Sequence, residues 1–136
     1  MKMEKVFLDA NILFSLSYAK TGLHRLLDLN RKGGCLLCIS RLVEDEAYRN
    51  LERQEHRDEL LRITFLMQKV PEADPSLPCP LNLPDKDRPV FMAAAASRVD
   101  FLLTGDMKHF GSYFGQTVMG VHICTARRYL ELKKQL

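Results

Sequence analysis

Apolar residues fall along this chain in two kinds of run. The first kind is short and continuous. Val6-Phe7-Leu8, Cys35 to Ile39 and Phe101-Leu102-Leu103 carry apolar residues without polar alternation, and Val121 to Cys124, interrupted by His122, reads as a fourth strand. Such runs read as strands buried on both faces. The first, from Glu4 to Leu8, ends at Asp9, and the third ends at Thr104-Gly105-Asp106. The second kind has helical spacing. Ile12, Leu13 and Leu16, then Leu23, Leu26 and Leu27, follow the first strand, with Gly22 as a break or kink and Gly33-Gly34 as a stop. Ser40 stands as a cap before one helical stripe of Leu42, Val43, Glu46, Ala47, Asn50 and Leu51, which extends to about Gln54. A further helix is predicted from about Arg57 to Lys69, with Leu60, Leu61, Phe65 and Leu66 as its apolar side. Another follows Asp87 and holds Val90, Phe91, Met92 and the run Ala93 to Ala96, small side chains that let a helix approach a sheet closely. Thr125 caps a last helix through Tyr129, Leu130 and Leu132.

Between these elements, Pro71, Pro75, Pro78, Pro80 and Pro84 rule out a helix. That stretch is expected to be a loop, with only Val70 and its neighbours able to form a short edge strand. Buried strands alternating with helices predict a three-layer α/β/α fold around a central, mainly parallel sheet. At 136 residues the chain has the length of one domain, expected to span 1–136.

Composition narrows this picture only a little. The chain is 46% hydrophobic, which excludes a disordered polymer. No apolar run nears the roughly 20 residues of a membrane helix, so no membrane partner is expected. The start, Met1 to Lys5, is charged and leads into an apolar run too short for a signal peptide; a cytoplasmic location is expected. A net charge of +3 permits contact with a polyanion without showing it. Arg41, Arg49, Arg53, Arg57 and Arg62 group in one region, and Arg127, Arg128, Lys133 and Lys134 at the end; solvated helix faces account for both. Cys35 and Cys38 have the CxxC spacing, but no second pair completes a zinc site. Both read as small apolar residues of a buried strand.

The chemistry lies in the acidic residues. Asp9 and Asp106 each follow a buried strand, and Asp87 opens the helix leading into the second of these. In an open parallel sheet the carboxyl ends of the strands share one edge, and ligands bind there. A helix antiparallel to its strand begins at that edge, so Asp87 can join the other two. Glu46 is the fourth, one to two turns into the helix that starts at Ser40, on an otherwise apolar stripe. Glu44 and Asp45 fall on other faces and are expected to be solvated. One carboxylate pair at ~4 Å costs roughly 4 kcal/mol at an effective dielectric of about 20. A hard divalent cation removes that penalty, and Mg²⁺ or Mn²⁺ suits an all-oxygen site. Such an ion activates water and polarises a phosphoryl oxygen, the two needs of phosphodiester hydrolysis. Lys108 and His109 follow Asp106 in what reads as a solvated loop, although both could touch phosphate or assist proton transfer.

At these residues the sequence resembles the PIN-domain family, which includes toxins of toxin–antitoxin pairs. The resemblance runs through Val6 to Asn11, Ser40 to Ala47, Asp85 to Val90 with the alanine-rich helix, Phe101 to Asp106, and Gly120 to Thr125. It implies that Asp9, Glu46, Asp87 and Asp106 form the catalytic, metal-holding cluster. It also implies Mg²⁺ or Mn²⁺ and cleavage of RNA. Asn11 and Thr104 match polar positions beside the first and last aspartates, expected to orient carboxylates or waters. A homodimer and an antitoxin partner are implied in the same way. Asp85 competes with Asp87 for the third acidic position, and Glu44 less strongly with Glu46. The alternative is a catalytically inactive PIN-like module that binds RNA or protein through an acidic pocket. A phosphoacceptor domain fits less well, since Asp9 has no acidic neighbour in the first strand. A phosphatase with an aspartate nucleophile would want a second aspartate at position 11, where Asn11 stands.

Overall fold

The computed structural model describes residues 3–18 and 21–134. Met1 and Lys2 of the charged start, and two positions between the halves of the first helical pattern, lie outside the described residues. Six strands form one sheet: β1 (Lys5–Leu8), β2 (Leu36–Ser40), β3 (Gln68–Val70), β4 (Phe101–Leu103), β5 (Thr117–Val118) and β6 (Val121–Cys124). Their spatial order is β3-β2-β1-β4-β6-β5, and every pairing is parallel except β5 with β6. The helices are α1 (Ala10–Leu16), α2 (Arg25–Arg31), α3 (Arg41–Asn50), α4 (Gln54–Thr64), α5 (Arg88–Ala96), α6 (Met107–Phe110) and α7 (Ala126–Lys134).

Val6, Phe7 and Leu8 are all fully buried. Successive strand residues face opposite sides of a sheet, so β1 is covered on both. The chain moves outward from β1 through β2 to β3, then crosses back over them to β4 on the other side of β1. Right-handed crossovers place α1 to α4 on one face and α5 on the opposite one. α1, α3 and α4 pack on one another. α5 is almost wholly buried from Val90 to Ala95, as its small side chains led us to expect. The three-layer, mainly parallel architecture is therefore present. Direction reverses between β1 and β4, which makes the carboxyl ends of those two strands the topological switch point.

Several local expectations need correction. α4 starts at Gln54 and ends at Thr64, and Lys69 lies in β3. Leu60, Ile63 and Met67 turn inward, whereas Leu61, Phe65 and Leu66 are exposed, Phe65 at 85%. Phe65 and Leu66 lie beyond the end of this helix, so its periodicity does not apply to them, and the turn into β3 brings Met67 inward instead. Ser40 holds the cap position of α3, yet its side chain makes no capping bond there. Lys108 and His109 sit in α6, where Asp106 Oδ1 accepts from His109 N at 3.0 Å and starts a helical turn. β5, two residues long, was too short to leave a pattern. It pairs with β6 through a tight turn in which Met119 (φ 51°) and Gly120 (φ 80°) both take left-handed backbone, as a two-residue hairpin requires.

α3 also ends at Asn50, short of the expected Gln54, which opens α4 instead. The first helical pattern breaks near Gly22, and α2 stops before Gly33, whose φ of 78° suits only glycine well. Thr125 Oγ1 accepts from Arg128 N at 3.1 Å, capping α7. Cys35 and Cys38 are buried and free.

Candidate active site

Asp9 ends β1 and caps α1: its Oδ1 accepts from Ala10 N at 2.8 Å. This leaves Oδ2 for other partners. There it accepts from Thr104 Oγ1 at 2.8 Å and Asn11 Nδ2 at 3.3 Å. The Thr104 hydroxyl in turn accepts from Asp106 N at 3.1 Å and from Asn11 Nδ2 at 3.2 Å. Asn11 Oδ1 closes the circuit by accepting from Gly105 N at 2.8 Å. Two residues after the first strand and three after the fourth thus lock the two carboxylate-bearing ends together. Thr104 is fully buried, so its hydroxyl is a fixed part of that lock.

Asp87 occupies the cap position of α5 but makes no capping bond. Its carboxylate is turned into a cleft instead, at 8% exposure. Glu46, half-buried on the second turn of α3, enters the same space from the opposite layer. Asp9, Glu46, Asp87 and Asp106 all line one cleft of about 430 Å³, together with Asn11, Asn50 and Lys86. The four residues singled out from the sequence converge at the switch-point edge of the sheet. Their competitors do not. Asp85 has a 96% exposed side chain and pairs with Arg88 at 3.2 Å. Glu44 is not solvated as expected: it is buried beneath the sheet edge, where Lys69 of β3 reaches Glu44 Oε1 at 3.2 Å. Asp45 is exposed and faces Arg41 at 3.8 Å.

His109 is the residue the sequence reading undervalued. Its Nδ1 lies 2.8 Å from Asp106 Oδ2 and 2.9 Å from Asp87 Oδ2, bridging the two carboxylates. The hydrogen bond goes to Asp106; Asp87 Oδ2 remains buried without one. The signal available in the sequence was spacing. Asp106 at a helix start brings a side chain three residues later back over its own carboxylate.

Burial is costly for these charges, and the titration shifts show it. Desolvation pushes the Asp9 carboxyl up to about 6, against opposing hydrogen bonds from Thr104 and Ala10 N, with Glu46 and Asp87 adding further upward pressure. Burial also raises Asp87, opposed by the positive field of His109 and Lys86. Desolvated carboxylates with raised affinity for a proton are also poised to accept another cation. Ligand atoms of Asp87, Asp106 and His109 lie within 4.8 Å of one another. Asp87 Oδ2, buried and met by His109 Nδ1 at 2.9 Å, the Asp9 carboxylate and the oxygen-rich donor set fit a hard divalent ion.

A family model described as PIN domain matches residues 5–108. No curated protein sequence matches the chain. Among solved structures, VapC20 of Mycobacterium tuberculosis, described as a sarcin-ricin loop cleaving toxin, superposes with a TM-score of 0.54. That match covers 79% of this chain and 94% of VapC20 at 11% identity, a likeness of fold.

Proposed function

The chain belongs to the PIN-domain family, and from that premise we propose that it is a metal-dependent endoribonuclease whose catalytic residues are Asp9, Glu46, Asp87 and Asp106. One observation carries the reading: carboxylates from four separate chain segments, on both faces of the sheet, meet in one cleft at the switch point. Chance surface acids do not converge across layers, and a fold has no structural use for repulsion there.

Asp9, Asp87 and Asp106 would hold Mg²⁺ or Mn²⁺, with Glu46 contributing directly or through water. When bound, the ion would lower the pKa of a water and polarise the scissile phosphoryl group. The protein's own part is positioning. Thr104 and Asn11 fix the Asp9 carboxylate and tie it to the Asp106 backbone, so that carboxylates keep their places while charge develops. Glu46 or Asp9 would accept the proton that the attacking water gives up. Lys86, at the cleft wall, supplies a positive charge for a phosphate of the RNA backbone. His109 Nδ1 stands between the Asp87 and Asp106 carboxylates and would have to share them with a bound cation.

Homodimerisation and control by a cognate antitoxin belong to this proposal as well, as does a single-stranded or structured RNA target. Their support is the family and a fold shared with a toxin that cleaves the sarcin-ricin loop. Among the described residues no helix is long and apolar enough to cross a membrane.

The test is incubation of purified protein with mixed RNA in Mn²⁺, in Mg²⁺ and in chelator, beside Asp9→Asn. Cleavage that needs metal and disappears in the variant is the expected result. Cleavage that persists in Asp9→Asn, or in chelator, would sink the assignment. An RNA that binds in the presence of metal and is never cut would favour the inactive binding module.

A further inference from the structure

One wall of the acidic cleft is not acidic. Phe14, on the last turns of α1, lines the cleft beside Asn50 and the carboxylates. One helical turn later Tyr18 follows it, with ring centroids 5.1 Å apart. Tyr18 is 51% exposed, unusual for a large ring at the end of a buried helix. Its other neighbour is His56 of α4, stacked at 4.2 Å with 29° between the ring planes. The imidazole Nδ1 is buried without a hydrogen-bond partner among the described residues. Three rings therefore run in contact from inside the cleft to the open surface between α1 and α4.

We propose that Phe14, Tyr18 and His56 form a stacking platform for unpaired nucleobases of the RNA strand whose phosphate enters the cleft. The inference rests on the ribonuclease reading of that cleft and names the substrate it selects: single-stranded or looped-out RNA. A duplex buries its base faces in its own stack, whereas an unpaired strand can lay them on aromatic rings. The surroundings suit a polyanion's bases without attracting or repelling the strand strongly. The acids beside His56 are matched: Glu55 pairs with Arg53 at 2.6 Å, and Arg62 with Glu59 at 2.6 Å. Lys86 lines the same cleft as Phe14, so a strand with a phosphate at Lys86 can rest a base on the first ring. Stacking reads no base edge, so the platform selects strandedness rather than sequence. Phe14 and Tyr18 are thus specificity-determining residues, outside the chemistry itself.

The test uses an eight-nucleotide single-stranded RNA carrying 2-aminopurine, whose fluorescence is quenched on stacking. Binding is measured with Mg²⁺ in an Asp106→Asn background, which leaves the strand uncut. Tyr18→Leu and Phe14→Leu are each expected to weaken binding about tenfold and relieve the quench. Tyr18→Phe, which keeps the ring, should retain both, and separates stacking from any loss of fold. A blunt duplex of the same sequence should bind more weakly and respond to none of these changes. Equal affinity and equal quench in wild-type and Leu-substituted chains would overturn the platform. Cleavage by the chain with Asp106 intact, run in parallel, keeps the two readings apart. Binding that depends on the rings without any cleavage would remove the nuclease and leave the platform. Metal-dependent cleavage with a KM for single strands unmoved by Tyr18→Leu would remove the platform alone.

Discussion

Asp9→Asn separates charge from shape at the centre of the site. In metal-free protein the Asp9 carboxyl titrates at about 6, against 3.8 in an unconstrained chain. The folded protein therefore holds this proton more tightly than the unfolded one. Stability linked to it is full at low pH and is lost as pH rises from about 3.8 through about 6. A shift of about two pH units corresponds to about 3 kcal/mol, of which about 2 kcal/mol falls between pH 4.5 and 7.5. Asparagine has no such slope. It also sets an amide against the Thr104 and Asn11 donors, at a cost of about 1–2 kcal/mol that does not depend on pH. The informative quantity is thus the change in the stability difference across the window. The variant should gain about 2 kcal/mol on wild type between pH 4.5 and 7.5. The chain has no tryptophan, so urea unfolding in chelator is best followed by far-UV circular dichroism. Saturating Mn²⁺ should abolish the slope in wild type. A difference that stays flat with pH would refute the reasoning. So would wild type gaining on the variant as pH rises, because the hydrogen bonds to Asp9 would then outweigh its burial.

Thr104→Val removes the hydroxyl that joins Asp9 to the Asp106 backbone, and should weaken Mn²⁺ binding roughly 10- to 100-fold in a calorimetric titration; unchanged affinity would show that the lock does not position the carboxylates. Phe91→Ala, at a fully buried position of α5, should cost about 3–5 kcal/mol in urea unfolding, and a loss below about 1 kcal/mol would contradict the packing described. Phe65→Ser should change stability by no more than about 0.5 kcal/mol, because that ring is 85% exposed. A large loss there would restore the face of α4 that periodicity alone suggested.

Strand positions were legible because continuous apolar runs have one meaning in an α/β chain. Val6 to Leu8 and Phe101 to Leu103 cannot sit at a solvated surface, so Asp9 and Asp106 had to share an edge. Asp87, preferred over Asp85 for its distance to the helix start, lies in the cleft, whereas Asp85 is exposed. Glu44 was misplaced because the helical stripe alone does not reveal that Lys69 comes to meet it from an edge strand 25 residues on. His109 was undervalued for a related reason: a four-residue helix leaves no periodicity, and only the cap made by Asp106 turns the imidazole back. The Phe14–Tyr18–His56 contact joins α1 to α4, and no pattern within either segment predicts it.

The central claim is that one cleft, built from four chain segments, holds a divalent cation on its carboxylates. Crystals grown with Mn²⁺ test it most directly, through anomalous scattering at the manganese edge. The account predicts a peak in the cleft within coordination distance of Asp9 and Asp106 or Asp87, lost in Asp9→Asn. A peak at another place, or none at millimolar Mn²⁺, would contradict it.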